Sequence, residues 1–380
     1  MAHDIVLLGA TGFTGGLTAD YLGGHVPEGA SWAVAGRSRA KLEAVAQRVA
    51  DAGGAVPEIE VADITDTRQV RALAESTRVL ATTVGPYVEH GEPAVAACAH
   101  AGTAYCDLTG EPEFVDRTWL AHHRRAEQTG ARLVHACGFD SVPHDLGVQQ
   151  TVALLPDDVP LTVRGYVTAS ADFSGGTYHS AVRALSRVRQ SGRVAAERRK
   201  TEGREPGRRV RALPSRPERG PGGRGWALPL PTIDPVIVRR SARALPAYGP
   251  DFSYGHYALF GGLPMMAATA AGAGAVLAVS QLPPGRDLLL KVRAQGAGPS
   301  EDKRARSWFR VRFVGEGGGE TVTTEVSGGD PGYTETARML GESALCLALD
   351  DLPDVAGQVT TAVAMGDALS RRLDFFRQLD

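Results

Sequence analysis

Three glycines at three-residue spacing, Gly9, Gly12 and Gly15, follow directly on the apolar run Ile5-Val6-Leu7-Leu8. Such a run reads as a parallel strand buried on both faces. The glycines after it read as a turn whose amides, with the start of the next helix, receive a phosphate anion. Gly9 would permit the turn, Gly12 would let the backbone approach a pyrophosphate, and Gly15 would let the helix lie against the strand, with Thr11, Phe13 and Thr14 between them. G-x-x-G-x-x-G is looser than the usual dinucleotide fingerprint, so the second strand decides. That strand, Ser31 to Ala35, ends in Gly36-Arg37-Ser38, with Lys41 one turn into the following helix. A carboxylate there would hold the ribose hydroxyl of NAD. Arg37, Ser38 and Lys41 instead suit a 2′-phosphate, so NADP(H) is the expected cofactor. A solvated arginine at a strand end is the plainer alternative.

Other chemistry-bearing residues cluster where strands should end. Asp63-Ile64, after a third strand over 58–61, would border an adenine ring. Val84-Gly85-Pro86 follows a fourth strand at 78–83 and would wall the nicotinamide half, because ligands of open α/β sheets sit beyond the carboxyl ends of the strands. Tyr87, Asp107, Glu111, Phe139, Asp140, Ser141 and His144 should converge on the same crevice. Tyr87, Tyr178 or a backbone amide near Phe139 would polarise a carbonyl, and His144, Tyr87 or water would supply a proton. Asp107, Glu111, Phe139, Asp140 and Ser141 are the expected substrate contacts. Capping of the helix that begins near Pro143 is an equally open role for Asp140 or Ser141, and Asp107 could be a buried strand-end carboxylate. A hydrolase reading of Ser141, His144 and Asp140 or Asp145 fails on spacing, since one short turn does not array nucleophile, base and orienter, and no G-x-S-x-G surrounds Ser141.

These residues need elements to hold them. Residues 1–150 alternate short β-rich runs with amphipathic stretches, the pattern of a doubly wound α/β unit, with helices expected over 92–101 and 114–130. Residues 151–332 read as a second, α+β substrate unit: a strand over 161–169, a turn from Phe173 feeding a helix, and paired strands over 308–314 and 320–326. Helical periodicity over 334–349 and 359–373 predicts that residues 333–380 pack back on the nucleotide-binding unit. The segment 193–224, rich in arginine, glycine and proline, is expected to be a mobile or irregular solvated insertion, with a lid, or a docking surface for an anionic partner such as a carrier protein or a phosphopantetheine arm, as its sharper role. Tyr257 to Ser280 carries no charge. It is expected to be a buried or substrate-facing helix, or one resting on a membrane surface, rather than a span.

Composition bounds the rest. The chain has 380 residues and a formal net charge of −2, which gives no global pull toward nucleic acid or an anionic membrane surface. Its four cysteines are far apart without a C-x-x-C pair, which argues against a metal site and for a reducing compartment. No charged-then-apolar leader precedes the first strand, so a cytoplasmic protein is expected.

Gly9-Ala10-Thr11-Gly12-Phe13-Thr14-Gly15, Ala35-Gly36-Arg37, Val84-Gly85-Pro86-Tyr87, Tyr105 to Glu111, Gly138 to Pro143, Asp330 to Tyr333 and Thr360 to Gly366 together resemble the saccharopine dehydrogenase-like oxidoreductases, and within them the actinobacterial trans-acting enoyl reductase branch. The resemblance spans most of the chain and weakens across the arginine-rich segment. It implies an N-terminal NADP-binding Rossmann domain completed by C-terminal helices, a central α+β substrate domain, and NADPH-dependent reduction. Saccharopine reductases need polar anchors for an amino-acid adduct, whereas the uncharged 257–280 stretch favours the enoyl branch and an apolar, carrier-tethered acyl or polyketide-type substrate. C=N or C=O reduction and a non-catalytic NADP-binding scaffold are the rival readings. A homodimer through the central sheet is a further expectation.

Overall fold

Ile5 to Leu8 are wholly buried, as the middle strand of a sheet covered on both faces must be. In the computed structural model, which describes residues 1–170, 175–203, 207–292 and 298–379, they form β1 (His3–Leu8). Around it lie β2 (Trp32–Gly36), β3 (Glu58–Val61), β4 (Thr77–Thr82), β5 (Ala104–Asp107) and β6 (Arg132–Val134). Every pairing is parallel, and the order is β6-β5-β4-β1-β2-β3. The order reverses between β1 and β4, which opens the crevice of a Rossmann-type sheet beyond their carboxyl ends.

A second, mixed sheet follows, made of β7 (Leu161–Ser170), β8 (Arg209–Ala212), β9 (Glu218–Arg219), β10 (Trp226–Pro229), β11 (Asp251–Phe260), β12 (Trp308–Gly317) and β13 (Glu320–Gly328). The C-terminal segment serves both sheets: β14 (Gly357–Val359) extends the first beside β6, and β15 (Phe376–Leu379) extends the second beside β13. The expectation that all of 333–380 packs on the nucleotide-binding unit is corrected accordingly. The expected 359–373 helix is also broken, into Thr361–Ala364 and Gly366–Leu373, where Gly366 takes a left-handed φ of 40°. The Thr334–Leu349 helix does pack on the first sheet, where Tyr21 donates its hydroxyl to Glu342 at 2.6 Å.

Two further expectations change. The 193–224 segment is regular through Glu202, the end of the Val188–Glu202 helix, because Arg198 is buried against Asp116 and stacks on Trp119. From residue 207 onward the chain forms β8 and β9. The uncharged stretch splits between β11 and the Leu263–Ser280 helix, and that helix is exposed rather than buried. The turn expected from Phe173 falls partly outside the described residues, and the Gly175–Ser186 helix follows it.

The Val142–Val152 helix joins the two sheets. It starts at the carboxyl end of β6 and crosses the second sheet at Gly147, where a Cβ would lie 2.4 Å from the Phe313 ring. Asp145, on its first turn, is fully buried and accepts hydrogen bonds from the Ser241 hydroxyl, the Thr361 hydroxyl (2.8 Å) and the Ala362 amide (2.8 Å). One carboxylate thus ties this helix to the Asp234–Ala244 helix and to the C-terminal segment. Asp145→Ala would strand three buried donors and is expected to cost about 2–4 kcal/mol, read as a lower denaturant midpoint. An unchanged midpoint would contradict this staple.

Candidate active site

At the head of the crevice, Gly9 has a φ of 92° and the Gly12 amide donates to the Gly9 carbonyl at 3.0 Å. A Cβ on Gly15 would sit 2.2 Å from that same carbonyl oxygen, so only glycine lets the Phe13–His25 helix begin this close to β1. Gly12 caps the helix without a side-chain bond, and Thr11 and Gly12 are exposed, which leaves an anion cradle facing the crevice. Phe13 is braced rather than free: it meets Tyr333 edge-on at 4.7 Å, with the Arg304 guanidinium 5.5 Å from its ring. Thr14 is half-buried, and its carbonyl accepts from Thr18.

At the end of β2, Arg37 is exposed and Ser38 stands at the N-cap position of the Arg39–Asp51 helix without a side-chain capping bond; the first turn of that helix contains Lys41 and no acidic residue. Cations are unfavourable at a helix N-terminus unless an anion lies among them, and a ribose 2′-phosphate supplies one. Asp63 faces this corner, but its carboxylate is taken up by the Thr65 amide and hydroxyl, which lower its pKa, helped by Arg37. Ile64 and Val84 are half-buried in the same apolar cluster, as ring-bearing walls would be. Gly85 is exposed and Pro86 buried beside it.

The structure gives several of the expected substrate and catalytic residues other work. Tyr87 is buried, donating its hydroxyl to the Thr82 carbonyl (3.0 Å) and accepting from the Leu108 amide (3.2 Å), so it shapes the wall instead of polarising a substrate. Glu111 accepts from the amides of Tyr87 (3.3 Å) and Val88 (2.7 Å), capping the short Tyr87–His90 helix. Asp107 has no exposed surface; its carboxylate receives the Tyr105 hydroxyl and the Thr109 and Ala136 amides, and contacts His135 Nδ1 at 2.7 Å. It holds Ala136 at a left-handed φ of 61° and so aims the 138–141 turn. The Phe139 amide is occupied by the Thr336 hydroxyl at 3.2 Å. Ser141 is buried at the helix cap position, yet its side chain makes no capping bond. Tyr178 lies away from this group and donates to the Leu289 carbonyl at 3.0 Å.

Asp140 and His144 remain, joined by two residues that sequence reasoning missed. Asp140 is half-exposed, its carboxylate lying against Gly110, where a Cβ would stand 2.8 Å from Oδ2. Behind it, His144 is 2% exposed, with Nδ1 2.7 Å from Oδ1 of Asp234 on the first turn of the next long helix. His256 of β11 completes the group, with Nε2 3.7 Å from Asp234 Oδ2 and Nδ1 3.1 Å from the Tyr254 hydroxyl. Phe139 closes over it, its ring 5.5 Å from His144 and 4.8 Å from Phe309. The only signals for Asp234 and His256 were an Asp-Pro helix start and one histidine in a run otherwise free of charge. Neither shows which sheet it will face.

Burial pushes the Asp140 carboxyl up to about 7, Asp234's charge adds to this and His144 opposes it. Burial also acts to raise Asp234, but His144, His256 and Thr232 outweigh it and Asp234 is lowered. Burial lowers His256 to about 3. The ligand atoms of His144, Asp234 and His256 lie within 4.8 Å of one another, a spacing that could also admit a metal ion. His144 Nδ1 and Asp234 Oδ1 approach to 2.7 Å as a charge contact, yet among the described residues neither atom has a hydrogen-bond partner in good geometry.

Residues 5–134 match the saccharopine dehydrogenase NADP binding domain family, and the glycine cradle and cationic corner fit NADP(H). A protein of Mycobacterium tuberculosis named for trans-acting enoyl reduction is 38% identical, the match covering 97% of this chain and 95% of that one. The trans-acting enoyl reductases of Mycobacterium ulcerans and Mycobacterium bovis are each 35% identical over the same shares. In fold, the chain is similar to saccharopine dehydrogenase (L-Glu forming) from Saccharomyces cerevisiae, with a TM-score of 0.58, 12% identity and full coverage of both chains. NADPH is expected to bind in preference to NADH, and Arg37→Ala to raise the NADPH dissociation constant by roughly 10- to 100-fold with NADH little changed. Equal loss for both cofactors in a titration would contradict the 2′-phosphate contact.

Proposed function

The chain belongs to the trans-acting enoyl reductase family of NADP-dependent oxidoreductases, and we propose that it reduces the α,β-double bond of an acyl or polyketide-type thioester carried by another protein. The observation that carries the site assignment is a neutral-range carboxyl, Asp140, at the mouth of the crevice with a buried histidine–aspartate pair behind it. NADPH, when bound, supplies hydride to the β-carbon. The remaining requirement is a proton at the α-carbon, and the chain's own residues provide it.

Asp140 is half-buried, the least enclosed member of the group, so it meets the substrate; His144 is too deeply buried to do so. At neutral pH a carboxyl titrating near 7 is about half protonated, as a general acid at that pH should be. After each turnover Asp140 regains its proton from solvent at the mouth of the crevice, while His144, beside Asp234 and His256, forms the buried floor behind it. Asp107, Glu111 and Tyr87 contribute by fixing the loops between which the reaction occurs. Phe139 and Ser141 line the turn on which the acid sits.

The partner in this reading is an acyl carrier. The exposed Arg193, Arg199 and Lys200 on the Val188–Glu202 helix offer it a cationic docking face. The reading also carries a cytoplasmic enzyme at the periphery of a membrane, and residues 1–150 and 151–332 acting as cofactor and substrate units. Reduction of a C=N or C=O bond has no specific feature of this crevice in its favour.

The test is NADPH oxidation with an α,β-unsaturated thioester. Asp140→Asn is expected to lower kcat by about 10²- to 10⁴-fold with NADPH affinity retained. The wild-type kcat should fall as pH rises through about 7, because the acid must be protonated. Turnover unaffected by Asp140→Asn, or a rate that climbs through pH 7, would overturn the assignment.

A further inference from the structure

The Leu263–Ser280 helix is the least expected feature of the surface. Its 18 residues, about 27 Å of helix, contain no charge and have a mean hydropathy of 1.6, yet only 11% of them are buried. Apolar side chains stand on every side of it, so it is not an amphipathic helix offering one stripe to a protein groove. The Pro283–Val292 helix, packed beside it, continues the exposure: Leu282, Leu288 and Val292 are each more than 60% exposed.

We propose that this helical pair lies in the headgroup region of an anionic lipid bilayer and fastens the enzyme to it. Topology excludes a single crossing. The strands before and after the pair, β11 and β12, both pair with β7, so the two ends of the segment return to one sheet. A span would separate them by the roughly 30 Å of a hydrocarbon core. The helix instead packs along the Gly175–Ser186 helix, as a segment lying flat on a surface would.

The border of the face has the composition of a membrane interface. Trp308 is 41% exposed, with the Arg310 guanidinium 5.9 Å from its ring. Exposed Lys291 and Arg306 lie on the flanking helices, and Arg286 beside them is half-buried and paired with Asp287 at 3.0 Å. A tryptophan and cations around an apolar patch match anionic headgroups above acyl chains; a second copy of this chain would bring the same cations against each other. The Gly175–Ser186 helix under the patch also carries Arg183, which pairs with Glu89 (3.0 Å) beside the crevice wall. The attached face is therefore one helix away from the site where an apolar acyl group would enter. This inference rests on the exposed helices and stands apart from the enoyl reading.

The experiment is co-sedimentation of the full chain with vesicles of phosphatidylcholine alone and of phosphatidylcholine with phosphatidylglycerol, with gel filtration of the same samples and NADPH titration as a check of folding. Binding is expected only to the anionic vesicles. Arg306→Glu should weaken it by more than the roughly fivefold attributable to one basic residue at a charged surface, and Leu277→Asn with Leu288→Asn should abolish it while leaving NADPH binding unchanged. No vesicle binding by a protein that binds NADPH, or a dimer that the paired substitution dissociates, would overturn the proposal. Neither result bears on thioester turnover, which is measured without lipid.

Discussion

The passage of one helix from the first sheet to the second determines where everything else can be. The Val142–Val152 helix leaves β6 through a turn held by Asp107, and lies on the second sheet because Gly147 admits the Phe313 ring. Its first turn presents two acidic or basic groups to different tasks. Asp145 points into a buried knot that fastens the C-terminal segment. His144 points at Asp234, on an element that belongs with the second sheet. Without this crossing the reactive group would be split between two bodies.

The same arrangement explains how the charges survive burial. An isolated carboxylate in that interior would be neutralised. Asp234 stays in its anionic form because His144 and His256 face it from two other elements. Asp140 is raised to about 7 because burial and Asp234's charge act on it in the same direction and outweigh His144. A buried polar cluster of this kind adds little to stability, which is why the proposed function gives it a chemical role.

The cofactor half of the molecule was legible in sequence because local spacing specifies it. The turn from Gly9 to Gly15 and the corner at Arg37 are each contiguous, and each glycine role follows from backbone geometry. The substrate half was not, because its residues come from chain positions about a hundred apart. Asp234 and His256 acquire meaning only when their elements meet Val142–Val152. Asp107 and Glu111 were visible as polar residues at strand ends, but sequence does not show that backbone amides consume them. The arginine-rich segment misled for a related reason: composition suggested mobility, while Asp116 supplied Arg198 with a buried partner from another helix.

The central claim is that the crevice reduces a carbon–carbon double bond by adding hydride to one carbon and a proton from the protein to its neighbour. It is tested most directly by turning over an α,β-unsaturated thioester with NADPH deuterated at the transferred position and analysing the product by NMR. The account predicts one deuterium at the β-carbon and a solvent-derived hydrogen at the α-carbon. Deuterium on the carbonyl carbon, or NADPH consumed with none in the product, would contradict it.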